Sequence, residues 1–254
     1  MTDIYRIEHD GRARHATRRD GVWHLLEGEP FGTHTVGAAL SDDGPRVLAP
    51  VVPSKIVAVG LNYKDHAAEM NKPLPAEPLI FLKPSTAVIG TGTSIVLPAG
   101  AGRVDYEAEV GVVIGRTARH VTATRAHEYI QGLTCVNDVT DRDLQRRDVQ
   151  YTRAKGFDTF APLGPCIASV PLDRPIRVES RVNGEIRQQS STAELIFPIP
   201  QLVEFITAVM TLLPGDIIST GTPPGVGALA PGDTVTIAIE GVGELVNDVV
   251  AAEH

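Results

Sequence analysis

The sequence predicts an α+β fold rich in β structure, with a small antiparallel β region at its N-terminal end. Apolar runs of strand length recur between turns built from Gly, Pro and Asp, whereas segments with helical periodicity are few. The pairs Asp10-Gly11 and Asp20-Gly21 separate short alternating segments, the pattern of tight hairpins. With 254 residues, 43% of them hydrophobic and 21% charged, the chain can bury one large core with a small domain beside it.

Taken in order, Tyr5-Arg6-Ile7 and Val22-Trp23-His24-Leu25-Leu26 flank those two turns and predict a small antiparallel sheet. The polar stretch Ser41-Asp42-Asp43-Gly44-Pro45 and the prolines Pro50 and Pro53 predict a boundary near residue 50, dividing the chain into an N-terminal β domain over 1–50 and a main domain over 51–254. Lys55-Ile56-Val57-Ala58-Val59-Gly60 has the length and continuity of a buried strand. Further strands are expected over 79–82, 110–114, 133–139, 176–183, 217–219, 234–239 and 245–250. Asn183-Gly184, Pro214-Gly215-Asp216 and Pro231-Gly232-Asp233 supply the corners between them. Helices are expected over 64–70, 126–131 and 201–211. In the last, Leu202, Val203, Phe205, Ile206, Val209 and Met210 form a wide apolar face.

A net charge of −8 with dispersed Lys and Arg leaves no electrostatic footprint for nucleic acid or an anionic membrane, so the expected ligand is a small molecule. No apolar stretch reaches membrane-spanning length, and the first residues lack a basic segment followed by an apolar one. The expected location is therefore the cytoplasm. Cys135 and Cys166 form no Cys-x-x-Cys pair and are assigned no chemistry.

The chemistry is concentrated around Asp105-Tyr106-Glu107-Ala108-Glu109. If this segment is one strand, its three acids share a face. Same-face carboxylates about 6–7 Å apart repel by roughly 2–3 kcal/mol at an effective dielectric of about 20, which calls for a cation or for Lys and Arg unless the face is solvated. Asp138, at the end of the next expected strand, is placed to join Glu107 and Glu109 in an all-oxygen site that favours Mg²⁺, Mn²⁺ or Ca²⁺ over zinc. The alternative is that Asp138 caps a following helix. His66 and Glu69 stand three apart on an expected helix, where the carboxylate can fix the imidazole tautomer for general-base work or simply form a solvated pair. Lys83 and Lys155 lie among apolar neighbours and need anions, either a structural acid or a substrate carboxylate. The Gly- and Pro-rich run from Ser219 to Gly227 follows a strand and lacks the Lys-Ser/Thr ending of a P-loop.

The order of these motifs is more specific than any one of them. Gly60-Leu61-Asn62-Tyr63 with His66 and Glu69, Phe81-Leu82-Lys83-Pro84-Ser85, the acidic strand, Asn137-Asp138-Val139-Thr140, Arg142-Asp143-Leu144-Gln145, Lys155-Gly156-Phe157-Asp158, Val182-Asn183-Gly184, Gln188 and Thr220-Gly221-Thr222-Pro223 occur in series. From Lys55 to about Val250 the sequence closely resembles the fumarylacetoacetate hydrolase family. The resemblance implies a mixed β-roll, a homodimer and a divalent metal, Mg²⁺ or Mn²⁺ with Ca²⁺ as an alternative, held by Glu107, Glu109 and Asp138. It implies that His66 and Glu69 activate water from a lid segment, that Lys155 stands beside the metal, and that Lys83, Arg142, Gln145 and Thr220 line the pocket. The activity it implies is hydrolysis of the C–C bond of 2,4-dioxo acids of the acylpyruvate type, through a pyruvate enolate. The alternatives on the same site are β-keto acid decarboxylation, as of oxaloacetate, or isomerisation of a hydroxydienedioate. A non-catalytic binding or structural dimer is the alternative of another class. Asp141 stands where the family commonly has a small residue.

Overall fold

Short strands dominate the computed structural model, which describes residues 2–41 and 44–253. Asp42 and Asp43 of the expected polar turn lie outside the described residues. The first five strands are β1 (Tyr5–His9), β2 (Arg12–Arg19), β3 (Val22–Gly28), β4 (His34–Ala39) and β5 (Val47–Leu48), arranged in the order β4-β3-β2-β1-β5. All four pairings are antiparallel. Asp10-Gly11 and Asp20-Gly21 have positive φ at both residues of each pair, which is what two-residue hairpin turns demand. Ile4 bridges to Ile167, and Ile4, Ala49 and Val51 pack with Ile56, Val113, Leu163 and Ile217 of the main body.

The main body continues with β6 (Ile56–Gly60), α1 (Lys64–Glu69), β7 (Leu79–Lys83), β8 (Val88–Ile89), β9 (Ile95–Leu97), β10 (Val104–Tyr106), β11 (Ala108–Ile114), β12 (Ile130–Asn137) and β13 (Thr140–Asp141). It is completed by α2 (Arg142–Asp148), α3 (Thr152–Lys155), β14 (Ala161–Ala168), β15 (Arg177–Val182), β16 (Glu185–Ser191), α4 (Ile199–Val209), β17 (Ile217–Ser219), β18 (Gly227–Ala228), β19 (Thr234–Ile239) and β20 (Gly243–Ala251). A mixed seven-stranded sheet, β7-β6-β17-β11-β12-β14-β8, packs with a five-stranded sheet, β16-β15-β19-β20-β9, around one cluster rich in Val, Ile and Leu. β11 lies between β17 and β12 and is buried along its whole length, which explains its unbroken apolar sequence after Glu109.

Two expected elements differ in the structure. The helix expected over 126–131 is a 3₁₀ segment at Ala123–Glu128, and Ile130 and Gln131 already belong to β12. The strand expected over 105–109 is broken at Glu107. β10 pairs with β13 and β18 in a separate three-stranded sheet, while β11 enters the large one. At the break the Glu107 amide donates to Asn137 Oδ1 at 3.0 Å instead of to a ladder carbonyl.

Candidate active site

The break at Glu107 determines where each acid points. Asp105 turns to Arg103 and Arg142, with Arg103 Nε at 2.7 Å and Arg142 Nε at 2.8 Å from its two oxygens. Asp105 lines the same cleft as Glu107 and Glu109, as the shared face predicts, but the two arginines engage it and it does not join the converging acids. Asp138 completes the group. β12 ends at Asn137, and the Asp138 amide donates to the Glu107 carbonyl at 2.9 Å, so the two acids stand on directly tied backbones. Glu107, Glu109 and Asp138 each offer an oxygen within 4.8 Å of the others, and all three are buried. Asp138 does not cap the next helix. Asp141 does, its Oδ1 accepting from the amides of Asp143 and Leu144, and this accounts for an acid at that position.

Cationic groups surround the acids unevenly. Lys155 Nζ donates to Glu107 Oε2 at 2.8 Å, Asp138 Oδ2 at 2.6 Å and Thr140 Oγ1 at 2.8 Å. Arg142 Nη2 lies 2.6 Å from Glu107 Oε1. Burial alone would raise the Glu107 carboxyl, but Lys155 and then Arg142 outweigh it and hold the group down at about 2. Glu109 behaves in the opposite way. Burial first, then the charges of Asp138 and Glu107, push it up to about 8, despite hydrogen bonds to its Oε2 from Ser219 Oγ at 2.5 Å and the Gly221 amide at 2.9 Å. Burial works against the Lys155 ammonium too, yet Asp138, Glu107 and Glu109 together keep it above its ordinary range.

This donor set fits a divalent cation. Its three converging ligands are all carboxylate oxygens, the choice of hard ions such as Mg²⁺ and Mn²⁺. Glu109, held high by burial and then by like charges, is the member whose ionisation a second cation would favour most.

The same cleft, about 690 Å³ in volume, is lined by His66, Glu69, Glu107, Glu109, Asp138, Arg142, Gln145 and Lys155. His66 Nδ1 lies 2.8 Å from Glu69 Oε2 across one turn of α1. α1 itself is pinned by Asp65, which accepts from Ser190 Oγ at 2.7 Å, and by Asn62, whose Nδ2 donates to the Thr220 carbonyl at 2.7 Å. Arg142 Nη1 donates to Gln145 Oε1 at 3.0 Å. Lys83 and Thr220 are not among the lining residues. Lys83, wholly buried behind Asp138, donates to its Oδ1 and to the Val139 carbonyl, and burial lowers its ammonium despite that pair. Thr220 Oγ1 is turned to the Val110 carbonyl at 3.0 Å, and Thr222 faces the cleft instead. Lys72 also lines the cleft and has no ion-pair partner among the described residues. No local sequence pattern marks it as a ligand-facing cation.

With this geometry in place, comparison with known proteins decides the family. The family described as fumarylacetoacetate (FAA) hydrolase, C-terminal, matches residues 55–250. The chain belongs to the fumarylacetoacetate hydrolase family. A 2-hydroxyhepta-2,4-diene-1,7-dioate isomerase from Mycobacterium marinum superimposes with a TM-score of 0.93 at 41% identity, covering 100% of both chains. A 5-carboxymethyl-2-hydroxymuconate delta-isomerase from Mycobacterium smegmatis does so with a TM-score of 0.92 at 45% identity, covering 98% of this chain and 100% of the other. A mitochondrial oxaloacetate tautomerase of Bos taurus is 43% identical over 216 residues, 80% of this chain and 69% of its own. The β-rich α+β roll expected from the sequence is thus the family fold. Members of this family are enzymes, among them isomerases, a tautomerase and hydrolases.

Proposed function

We propose that this protein catalyses proton transfer at carbon in small 2-oxo dicarboxylic acids, as a keto–enol tautomerase or double-bond isomerase. The observation that carries this reading is a His–carboxylate base and a cluster of acids and ammonium facing one cleft. The names of the three relatives, two isomerases and one tautomerase, support it.

Glu107, Glu109 and Asp138 would hold a divalent cation, Mg²⁺ or Mn²⁺, which when bound supplies a Lewis acid for a 2-oxo group. Lys155 places a fixed positive charge beside the acids, where an enol oxygen gains negative charge. His66, with Nδ1 directed to Glu69, leaves Nε2 to take a proton from carbon and return it at another position. Glu69 keeps the ring oriented. Lys72, without an ion-pair partner among the described residues, gives the cleft a cation for a second carboxylate, and Arg142 and Gln145 line the same cleft. The dyad also has the geometry to deprotonate water, which supports hydrolysis of acylpyruvates as a second reading.

The test follows loss of the enol absorbance of oxaloacetate, together with pyruvate release from oxaloacetate and acetylpyruvate, with Mg²⁺ or chelator. Tautomerisation is expected to fall on the order of 10²-fold or more in His66→Ala and to require the cation. Background tautomerisation alongside rapid pyruvate release from acetylpyruvate would replace this reading with the second.

A further inference from the structure

The Gly- and Pro-rich run after β17 has a role that the cleft-lining residues leave unexplained. At its centre Gly225 is held from two sides. Its amide donates to Glu69 Oε1 at 3.2 Å, and its carbonyl accepts from Tyr106 Oη at 2.9 Å. Glu69 uses its other oxygen, Oε2, for His66 Nδ1. Tyr106 is the residue immediately before Glu107, is nearly fully buried and closes β10. One continuous chain of hydrogen bonds therefore runs from the acid-bearing strand, through the two peptide groups flanking Gly225, to the carboxylate that orients the imidazole.

The surroundings keep this link in one geometry. Gly225 has φ +94°, and a Cβ there would meet the Arg187 carbonyl oxygen at 2.2 Å, so the loop can approach β16 only with glycine at this point. Tyr106 pairs with Gly227 across β10 and β18, and a Cβ on Gly227 would lie 2.8 Å from Tyr106 Oη. The hydroxyl reaches Gly225 because Gly227 leaves it room. On the far side of Glu107, Gln188 accepts from the Ala108 amide at 3.0 Å and donates to Thr222 Oγ1 and the Pro223 carbonyl, both at 2.8 Å. Both flanks of Glu107 are thereby fastened to the loop that carries Gly225.

We propose that Tyr106 is a positioning residue, which through Gly225 sets the Glu69–His66 base in register with the acids on its own strand. It touches neither base nor substrate. Its hydroxyl fixes the Gly225 peptides, these fix Glu69, and Glu69 fixes the imidazole. The inference rests on the reading of His66 as the proton-transfer base.

Tyr106→Phe keeps the buried ring and removes only the link. In protein labelled with ¹⁵N-histidine, with the His66 signals identified by their loss in His66→Ala, Glu69→Ala, which removes the acceptor, marks the Nδ1 shift of an unheld ring. Tyr106→Phe is expected to move Nδ1 in the same direction by a smaller amount, with kcat on oxaloacetate about tenfold lower, KM within twofold and Mn²⁺ affinity within twofold of wild type. Gly227→Ala, which displaces the hydroxyl sterically, is expected to give the same Nδ1 shift. An unmoved Nδ1 in both variants overturns the proposal, as does a kcat loss that appears only together with weakened Mn²⁺ binding. If the wild-type enzyme turns over no 2-oxo acid, the functional reading fails while the Nδ1 comparison still decides the link.

Discussion

The raised Glu109 carboxyl makes cation binding a proton-releasing event, and its size follows from the site. With Glu109 held near 8 by burial, Asp138 and Glu107, and Glu107 held near 2, one carboxyl of the pair carries a proton at neutral pH. The ionised fraction of Glu109 falls from about one half at pH 8 to about one in a hundred at pH 6, so Mg²⁺ affinity should fall roughly fifty-fold over that interval. Folding of the chelated protein shows the same proton with its own sign. Because the folded-state value lies above the ordinary 4.5, the native state binds the extra proton, and stability declines as pH rises from about 4.5 towards 8. Titration calorimetry of Mn²⁺ at pH 7 in buffers of different ionisation enthalpy should count close to one proton released. Glu109→Gln should abolish that release. A count near zero with flat affinity from pH 6 to 8 would show that Glu109 is already ionised and would refute the electrostatic argument.

Two further predictions concern stability. Asp216, wholly buried, accepts from the Ser54 and Lys55 amides, Ser54 Oγ and the Leu213 amide, tying the entry of β6 to the turn before β17. Asp216→Ala should cost about 3–5 kcal/mol in urea unfolding, and a loss below about 1 kcal/mol would show that these donors find other partners. Val149, between α2 and α3, has φ +62° and is 78% exposed, with the Gln150 amide donating to the Asp148 carbonyl at 2.6 Å. A β-branched residue is strained in that γ-turn, so Val149→Gly should stabilise the protein by about 1 kcal/mol after its entropic cost. A lower melting temperature would count against strain there.

The parts of the site legible in the sequence are those written in local pattern. Glu107 and Glu109 follow from acids entering a buried strand, Asp138 from its place at a strand end, and the His66–Glu69 pair from helical spacing. Strand alternation put Asp105 on the cleft side, where it lies, but not its capture by Arg103 and Arg142, and the break at Glu107 depends on Asn137, a side chain 30 positions away. The apolar run interrupted by Lys83 signals a buried anion, a structural acid or a substrate carboxylate, and only the family resemblance placed this lysine at the pocket wall. The anion is Asp138 itself, approached from behind. The short helices α2 and α3 are too brief for periodicity to reveal, and the cap of α2 proved to be Asp141 rather than Asp138. Tyr106 and Gly225 are 119 residues apart, and their bond exists only through the register of β10 with β18. No local motif carries such a pairing.

The proposed chemistry stands on three carboxylates from two segments holding one hard cation beside an imidazole base. Crystals soaked in Mn²⁺ and measured at the manganese absorption edge test it most directly. One strong anomalous peak bounded by Glu107, Glu109 and Asp138 is expected. No peak there, with Lys155 Nζ still bridging Glu107 and Asp138, would contradict it.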